Sequence, residues 1–314
     1  MNRYLVTGGA GFIGSMVVRV LLERTDRVVV VDDFSSGKED NLREVTSGVD
    51  IRFADIRDYT KLEKHFRGVT HAFHLAAIPS VPRSISDPVP SHESNIDGTF
   101  NVLRACREAS VRRVVYAASS SAYGDTEVLP KVESMKPEPL SPYALQKLVG
   151  EHYMRLFTTC FELDTVSLRF FNVYGPRQDP TSAYSGVLSI FMSSLLDRKP
   201  PVIFGDGEQS RDFTYVEDVA ELCWKASQAQ GVAGRMYNAG NGGRFTLNQI
   251  WEKLCRMEGV SIRPQYGPPR AGDVRDSQAD TTAAIRDLGH SPRFSIEEGL
   301  KRTLNWYRQS LKPA

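Results

Sequence analysis

Residues 7–14 read Thr-Gly-Gly-Ala-Gly-Phe-Ile-Gly and separate an apolar stretch from a stretch with a helical pattern. The apolar residues 3–7 predict a short strand, and residues 15–22 predict a helix. Glycines at this spacing let the backbone approach a pyrophosphate at the helix N-terminus, where free N–H groups and the helix dipole favour anions. The stretch therefore predicts a dinucleotide-binding turn.

The acid that follows this turn indicates which dinucleotide binds. Four valines at 28–31 predict a buried second strand, and Asp32 comes directly after them, 18 residues beyond Gly14. A carboxylate at the end of that strand suits a ribose 2′-hydroxyl and would repel a 2′-phosphate. The sequence therefore favours NAD over NADP as the cofactor.

Strand and helix patterns continue to alternate along the chain. Further strands are predicted at 51–53, 71–75 and 112–118, and helices at 59–67, 88–110 and 142–161. This alternation is typical of the α/β class with a doubly wound, parallel Rossmann-type sheet. Ligands of such a sheet bind beyond the carboxyl ends of its strands, so Asp55, Ala76 and Ala77 are expected beside the adenine and its ribose.

The composition argues against several functional classes. The 314 residues include 39 Lys and Arg against 38 Asp and Glu, and a net charge of +1 gives no general affinity for nucleic acid or a membrane surface. No stretch has the pattern of a signal peptide or a membrane-spanning helix, which predicts a cytoplasmic protein. The four cysteines are far apart, and His71 and His74 would face opposite sides of a strand, so no metal site is predicted.

A candidate proton-exchange site lies in Ser-Pro-Tyr-Ala-Leu-Gln-Lys, residues 141–147. In a helix Tyr143 and Lys147 share one face, because they are four residues apart. A phenol titrates near ~10 in water, and a nearby cation lowers that pKa. The pair alone more often means a buried ring and a solvated charge. Ser119, which follows the fifth predicted strand, could complete a catalytic triad with it.

Five motifs together resemble those of the extended short-chain dehydrogenase/reductase family, and within it the UDP-galactose 4-epimerase group. They are 7–14, 119–124 (Ser-Ser-Ser-Ala-Tyr-Gly), 141–143 with Lys147, 169–176 (Arg-Phe-Phe-Asn-Val-Tyr-Gly-Pro) and 211–219 (Arg-Asp-Phe-Thr-Tyr-Val-Glu-Asp-Val). The resemblance covers nearly the whole chain and is closest to the UDP-N-acetylglucosamine 4-epimerases.

This resemblance implies an enzyme that keeps NAD bound and inverts C4 of a UDP-sugar through a 4-keto intermediate. Tyr143 would take the proton from the sugar 4-hydroxyl while C4 gives a hydride to the nicotinamide, and both would return on the opposite face. Ser119 would bridge the sugar oxygen and Tyr143. Lys147 would favour the phenolate and also hold the nicotinamide ribose.

Two sets of binding residues follow from the family pattern and from the strand ends. The expected NAD contacts are Gly8, Gly11, Phe12, Ile13, Gly14, Asp32, Asp55, Ile56, Leu75, Ala76, Ala77, Asn95, Tyr143, Lys147 and Phe170. The expected UDP-sugar contacts are Ser80, Val81, Ser119, Ser120, Ser121, Tyr143, Asn172, Val202, Phe204, Arg211, Arg270, Asp273 and Ser277. In the family pattern Val202 and Phe204 flank the uracil, whereas the arginines grip phosphate and ribose.

Three details of the sequence discriminate among relatives. Related dehydratases carry an Asp-Glu pair where this chain has Ser120-Ser121, and related decarboxylases carry a Glu in place of Ser121. Residues 79–84 (Pro-Ser-Val-Pro-Arg-Ser) resemble the pattern of N-acetylhexosamine epimerases. Ser277 occupies the position that borders the sugar 2-substituent in the family, where a small residue leaves room for an N-acetyl group.

We therefore expect interconversion of UDP-N-acetylglucosamine and UDP-N-acetylgalactosamine, with UDP-glucose and UDP-galactose as further substrates. The alternatives are a UDP-glucuronate 4-epimerase or decarboxylase, and a non-catalytic NAD-binding sensor on the same fold.

The same resemblance predicts the domain organisation and the assembly. Residues 1–171 with about 212–242 are expected to form the NAD-binding domain. Residues from about 172 to 211 with 243–314 are expected to form a smaller α/β nucleotide-sugar lobe. The helices near 88–110 and 142–161 match the pair that forms a four-helix dimer interface in relatives, so a homodimer is expected.

Overall fold

The computed structural model describes residues 2–179, 186–269 and 273–310. Within these ranges the chain forms thirteen strands and eleven α-helices. The strands are β1 (Tyr4–Thr7), β2 (Val28–Asp32), β3 (Val49–Phe53), β4 (His71–His74), β5 (Arg113–Ser119), β6 (Asp164–Phe170), β7 (Val173–Tyr174), β8 (Val202–Phe204), β9 (Ser210–Arg211), β10 (Thr214–Tyr215), β11 (Arg235–Ala239), β12 (Phe245–Thr246) and β13 (Gln265–Gly267).

The helices alternate with these strands along the first two thirds of the chain. They are α1 (Phe12–Leu22), α2 (Tyr59–Leu62), α3 (Val81–Ser86), α4 (Pro88–His92), α5 (Gly98–Glu108), α6 (Pro142–Phe161), α7 (Val187–Leu196), α8 (Val216–Gln228), α9 (Leu247–Met257), α10 (Thr282–Leu288) and α11 (Ile296–Ser310). Shorter 3₁₀ turns span Glu39–Gly48, Glu63–Phe66 and Ser120–Tyr123.

Seven parallel strands form the central sheet, in the order β11-β6-β5-β4-β1-β2-β3. The predicted doubly wound α/β fold is thus confirmed. The strand order reverses on either side of β1, and a crevice for ligands forms at the carboxyl ends of the strands at such a point. The glycine turn follows β1 directly and lies at that crevice.

Several element boundaries differ from the sequence-based expectation. Helix α1 begins at Phe12 rather than at residue 15, so the glycine turn runs directly into its first turn. The single helix expected at 88–110 is α4 and α5 joined by a π-helical turn, Glu93–Asp97. That turn contains Asn95, whose side chain is bonded to neighbouring segments rather than exposed.

Apolar cores cover both faces of the sheet. Val28, Val30 and residues of α1 and α8 pack on one face, whereas Val29, Val31 and residues of α5 pack on the other. The valines of β2 face both cores, as expected for a parallel strand that is buried on both sides.

A third core lies apart from the central sheet. It gathers residues of α7, α9 and α11, and it also includes Phe213 and Tyr215. The division into two lobes stays a prediction, which this separate core supports, although Phe213 and Tyr215, expected in the NAD-binding domain, pack in this third core. No described helix is long and apolar enough to cross a membrane.

Candidate functional site

The glycine turn forms a cradle that side chains would fill. Gly8 has φ +70°, and a Cβ there would lie 2.7 Å from the backbone nitrogen of Ala76 on the neighbouring strand end. A Cβ on Gly14 would collide with the carbonyl oxygen of Gly8. Gly11 precedes α1 without a side-chain cap, so the first N–H groups of the helix remain available to an anion. This geometry fits the pyrophosphate of a dinucleotide.

Asp32 lies at the end of β2 beside this cradle. Its carboxylate accepts hydrogen bonds of 2.9 Å from the backbone N–H groups of Ala10 and Phe34. Burial raises the pKa of Asp32, and the two N–H groups oppose that rise because they favour the charged form. The side chain therefore braces the turn and lines the cleft at the same time.

Asp55 follows β3 at the far end of the same groove. Arg57 donates to both carboxylate oxygens of Asp55, at 2.9 and 3.1 Å from its Nε. Burial acts to raise the pKa of Asp55, but the hydrogen bonds from Arg57 outweigh it and the pKa is lowered. Asp55 and Ile56 line the cleft where the sequence placed the adenosine end.

Ser119, Tyr143 and Lys147 all line the cleft, and the Ser119 hydroxyl lies near the Tyr143 phenol. Ser119 ends β5, and its Oγ lies 2.8 Å from the Oγ of Ser121. Burial raises the pKa of the Tyr143 phenol, and the nearby Ser119 hydroxyl partly opposes this rise. The arrangement brings a hydroxyl donor and a phenol to one point, as a proton exchange with a substrate hydroxyl requires.

Lys147 is 4% exposed, and its Nζ donates a hydrogen bond of 2.8 Å to the carbonyl oxygen of Ala117. Burial lowers the pKa of Lys147 to about 7, while the negative charge of Glu151 acts in the opposite direction. The sequence argument expected Lys147 to lower the pKa of Tyr143. That expectation stays a prediction: burial is the larger influence on the pKa of Tyr143, and the ammonium is hydrogen-bonded to a backbone carbonyl.

The start of α6 is fixed by its own sequence. Ser141 caps the helix by accepting a hydrogen bond of 3.2 Å from Ala144 N–H, and Pro142 occupies the first turn. The Tyr143 N–H donates to the Oγ of Ser84, at 3.1 Å. Helix α3, which carries Ser84, thereby places Ser80 and Val81 beside the tyrosine.

One continuous cleft of about 760 Å³ contains most of the predicted site. The predicted residues on its wall are Gly8, Gly11, Phe12, Ile13, Gly14, Asp32, Asp55, Ile56, Leu75, Ala76, Ala77, Ser80, Val81, Ser119, Ser120, Ser121, Tyr143, Lys147, Phe170, Asn172, Arg211, Asp273 and Ser277. Among them Asn172 has φ +23°, a backbone conformation that non-glycine residues rarely adopt outside functional sites.

Asn95 is not on the cleft wall that the described residues trace, and its expected contact with NAD stays a prediction. The side chain is 1% exposed. Its Oδ1 accepts a hydrogen bond of 2.8 Å from Ile78 N–H, and its Nδ2 donates a hydrogen bond of 2.9 Å to the Oε1 of Gln146. Through these two hydrogen bonds, Asn95 holds the loop after β4 against helix α6.

Val202 and Phe204 also lie off the cleft wall as far as the described residues trace it. Both are on β8, which pairs with β13, and Val202 is 45% exposed. The structure therefore does not bring them beside the other predicted residues, and their contact with a uracil ring stays a prediction. Arg270 lies outside the described residues.

The end of the cleft where the sequence predicts the nucleotide sugar includes Arg211 of β9 and residues of the segment 273–277. The Nη1 of Arg211 donates to the carbonyl oxygens of Ser210 and Arg275, at 2.9 and 2.8 Å. Burial lowers the pKa of Arg211, and Asp273 and Asp276 oppose this because their charges favour the cation. Ser277 follows Asp276, and its N–H donates a hydrogen bond of 3.1 Å to the carbonyl oxygen of Ser210.

Sequence reasoning missed several polar residues of the cleft wall, namely Lys38, Arg83, Lys131, Arg177 and Asp276. Arg177 directly follows the motif 169–176, and Asp276 directly precedes Ser277, so position in the chain could have indicated both. Lys131 carries no such signal: it is 1% exposed, and its Nζ donates to the carbonyl oxygen of Thr126.

The described residues contain no group of three or more His, Cys, Asp and Glu side chains that could hold a metal ion. His74 lies between the hydroxyls of Thr7 and Thr99, at 2.8 and 3.0 Å. His71 contacts the Thr70 hydroxyl at 2.9 Å. Both histidines thus have protein partners, in keeping with their predicted separation on the strand.

The chain as a whole is similar to known nucleotide-sugar enzymes. Residues 4–240 match the model of a family described as "NAD dependent epimerase/dehydratase family". The UDP-glucose 4-epimerase of Mycolicibacterium smegmatis is 39% identical over 98% of each chain, and the UDP-glucuronate 4-epimerase of Thermodesulfobacterium geofontis is 34% identical over 99% of this chain and 98% of its own.

A solved structure resembles the whole model closely. The UDP-N-acetylglucosamine 4-epimerase of Methanobrevibacter ruminantium, in complex with UDP-N-acetylmuramic acid, superposes with a TM-score of 0.94, 36% identity and 99% coverage of both chains. The similar proteins therefore share one fold and one kind of reaction, but they differ in the sugar on which they act.

Proposed function

Since the chain belongs to the NAD dependent epimerase/dehydratase family, we propose that it interconverts UDP-N-acetylglucosamine and UDP-N-acetylgalactosamine by inverting C4. The meeting of Ser119, Tyr143 and Lys147 in one cleft is the observation that carries the reaction type. UDP-glucose and UDP-galactose are proposed as further substrates, because room for an N-acetyl group does not require one.

The chain's own residues account for the proton movement. Tyr143 takes the proton of the sugar 4-hydroxyl and later returns it to the opposite face of the sugar. Ser119 hydrogen-bonds the same sugar oxygen and holds it near the phenol. Burial raises the pKa of Tyr143, and in this proposal the Lys147 ammonium acts against that effect because a nearby cation favours the phenolate.

NAD fits the groove that leads to this point, because Gly8 and Gly14 leave room for a pyrophosphate that larger residues would block. When bound, NAD supplies the acceptor and donor of the hydride at C4. Asp32 is placed for the adenosine ribose, and Phe170 and Lys147 line the groove where the nicotinamide end would lie.

Ser277 supports the preference for N-acetylated sugars. It lies on the cleft wall with Ser80 and Val81, and its small side chain takes little of the space at the sugar end. A substrate panel tests the assignment: UDP-N-acetylglucosamine, UDP-glucose and UDP-glucuronate are each incubated with the protein, and the products are separated by chromatography. We expect the fastest conversion with UDP-N-acetylglucosamine, and conversion of UDP-glucuronate alone would contradict the proposal.

One observation favours a second candidate, a UDP-glucuronate 4-epimerase. Arg83 lines the cleft on α3, beside Ser80 and Val81, and forms no ion pair within the described residues. A guanidinium at that position would suit a sugar carboxylate. The same panel separates the two candidates.

The remaining alternatives lack a supporting residue. A decarboxylase is disfavoured because Ser121 stands where such relatives carry a Glu. A non-catalytic sensor is disfavoured because Ser119, Tyr143 and Lys147 are all present and lie together in the cleft.

We also propose a homodimer formed through α5 and α6. Both helices expose large apolar side chains, among them Phe100 at 42%, Leu145 at 51% and Leu156 at 46%. Such residues on adjacent helices suit burial against a second copy of the chain. Sedimentation velocity should give a dimer for the wild type and a monomer for Leu145→Glu with Leu156→Glu. A wild-type monomer would contradict the proposal.

A further inference from the structure

A buried ion pair lies one helical turn beyond the catalytic lysine. Glu151 on α6 accepts two hydrogen bonds of 2.8 Å from Arg169 on β6, one from Nε and one from Nη2. The side chain of Arg169 is 2% exposed and that of Glu151 is 7% exposed. The Cζ of Arg169 also lies 4.3 Å from the centroid of the Tyr123 ring.

Such a pair is costly for a protein to maintain. Removing two charges from water carries a penalty that their mutual attraction often fails to recover, so well-packed apolar residues would commonly serve stability as well or better. The position of the pair therefore calls for a reason other than stability. Glu151 follows Lys147 by four residues on α6, which places both side chains on one face of the helix.

The surroundings of Lys147 hold little else that favours a cation. Its ammonium donates to the neutral carbonyl of Ala117 and lies 4.9 Å from the centroid of the Tyr116 ring on β5. His74 on β4 is fully buried, and burial together with the Lys147 charge lowers its pKa to about 3, so it is neutral. Tyr143 lies one turn before Lys147 on the same helix, and Glu151 lies one turn after it.

Glu151 is therefore the anion that acts on Lys147 within the described residues. Burial lowers the pKa of Lys147 to about 7, and Glu151 opposes this because its charge favours the ammonium. Arg169 fixes the carboxylate through both oxygens. Strand register places Arg169 opposite Ala118, between Ala117, which binds Lys147, and Ser119.

We propose that Glu151, held by Arg169, is a positioning residue that keeps the Lys147 ammonium charged during proton exchange at Tyr143. The inference rests on the proposed function, since it assigns Glu151 a part in that reaction. Glu151 itself touches neither substrate nor cofactor. It acts through Lys147, and its contribution is to the charge at the site rather than to the shape of the cleft.

The pH dependence of turnover tests this proposal. In Glu151→Gln the carboxylate charge is lost, so Lys147 should lose its proton at lower pH. In a plot of kcat against pH, the alkaline limb is the range in which kcat falls as the pH rises. This limb should move to lower pH by about one unit, as expected for the loss of a charge roughly one helical turn away. Glu151→Asp keeps the charge and should leave the limb near its wild-type position, although the rate falls.

Asp164→Asn provides a matched control. Asp164 forms an ion pair of 2.6 Å with Arg113 and joins the same two strands, β5 and β6, at their opposite ends. This variant should lower the melting temperature without moving the alkaline limb, because the lost charge is far from Lys147. An equal shift in Asp164→Asn would contradict the proposal.

A double variant covers the case in which Glu151→Gln fails to fold around an unpaired arginine. Glu151→Leu with Arg169→Met removes both charges and keeps apolar packing, which buried pairs commonly tolerate. It should fold and still show an alkaline limb below that of the wild type. A folded double variant with the wild-type limb would overturn the inference, whereas a wild-type protein without epimerase activity would instead overturn the proposed function.

Discussion

The ammonium of Lys147 donates a hydrogen bond of 2.8 Å to the carbonyl oxygen of Ala117, two residues before Ser119. This contact ties α6 to the end of β5. Because Tyr143 is on the same helix and Ser119 on the same strand, the bond also fixes the phenol relative to the serine hydroxyl. The lysine thus has a structural part in the site in addition to its charge.

Replacing Tyr143 by phenylalanine should remove the proton acceptor and leave the cleft intact. We expect turnover to fall by about 10²- to 10⁴-fold, the usual contribution of a positioned acid–base group. NAD content, read from the absorbance of the purified protein, should stay at the wild-type level. Tyr153→Phe is the matched control, because Tyr153 is on the same helix with its ring against Phe100. Normal turnover in Tyr143→Phe would contradict the mechanism.

Enlarging Ser277 should discriminate among sugars. The side chain is 8% exposed and lines the cleft, so tyrosine at this position would occupy space at the sugar end. Ser277→Tyr should lower kcat/KM for UDP-N-acetylglucosamine by at least about ten-fold more than for UDP-glucose, whereas Ser277→Ala should preserve the wild-type ratio. The same loss for both sugars would show that residue 277 does not select the 2-substituent.

Two ion pairs across the cofactor groove should slow the loss of NAD. Lys38 lies 2.5 Å from Asp179, and Arg177 lies 2.9 Å from Glu44, so the loop after β2 is bonded to the segment after β7. Lys38→Gln and Glu44→Gln should each speed NAD release during dialysis about two- to five-fold, the range expected for partly exposed pairs. Added salt should act on the wild type in the same direction.

The control for this prediction is Arg43→Gln. Arg43 pairs with Asp40 on the same segment, but both side chains are exposed and the pair does not cross the groove. NAD release should therefore be unchanged in that variant. Release rates that are equal in all three variants would exclude a role for the pairs that cross the groove.

The stability of the protein should fall between about pH 6.5 and pH 3 in a way that depends on His74. Burial lowers the pKa of His74 to about 3, while in the unfolded chain it stays near ~6.5. As the pH falls through this window the unfolded chain binds a proton that the folded protein does not, so the free energy of unfolding decreases.

Urea unfolding at several pH values measures this contribution. In His74→Gln the free energy of unfolding should decrease less steeply with falling pH than in the wild type, whatever the effect of the substitution on stability at neutral pH. His92→Gln, at an exposed histidine, should leave the pH dependence unchanged. A wild-type slope in His74→Gln would mean that other groups determine acid sensitivity.

Local patterns were enough to predict the parallel sheet and the shared helix face of Tyr143 and Lys147. Val28–Val31 are buried on both faces because a run of four β-branched residues has no polar side to expose. Tyr143 and Lys147 share a face because the helical repeat fixes that relation over one turn. The glycine turn required no tertiary information either, since its own backbone geometry excludes larger residues.

Contacts between distant segments were not predictable in the same way. The ion pair between Arg177 and Glu44 joins residues 133 apart in the chain, and no local pattern indicates that they meet. Asn95 is a related case, because its position in a helix gave no sign that Ile78 and Gln146 would use its amide. The balance between burial and charge at Tyr143 likewise depends on the packed structure.

Proton NMR of UDP-N-acetylglucosamine incubated with the purified protein, without added NAD, tests the central claim most directly. The account predicts that the anomeric signal of UDP-N-acetylgalactosamine appears and approaches a stable ratio with that of the starting sugar. Conversion of UDP-glucose alone would retain the mechanism and discard the argument from Ser277. No conversion of either sugar, even after NAD is added, would contradict the assignment of this cleft as a 4-epimerase site.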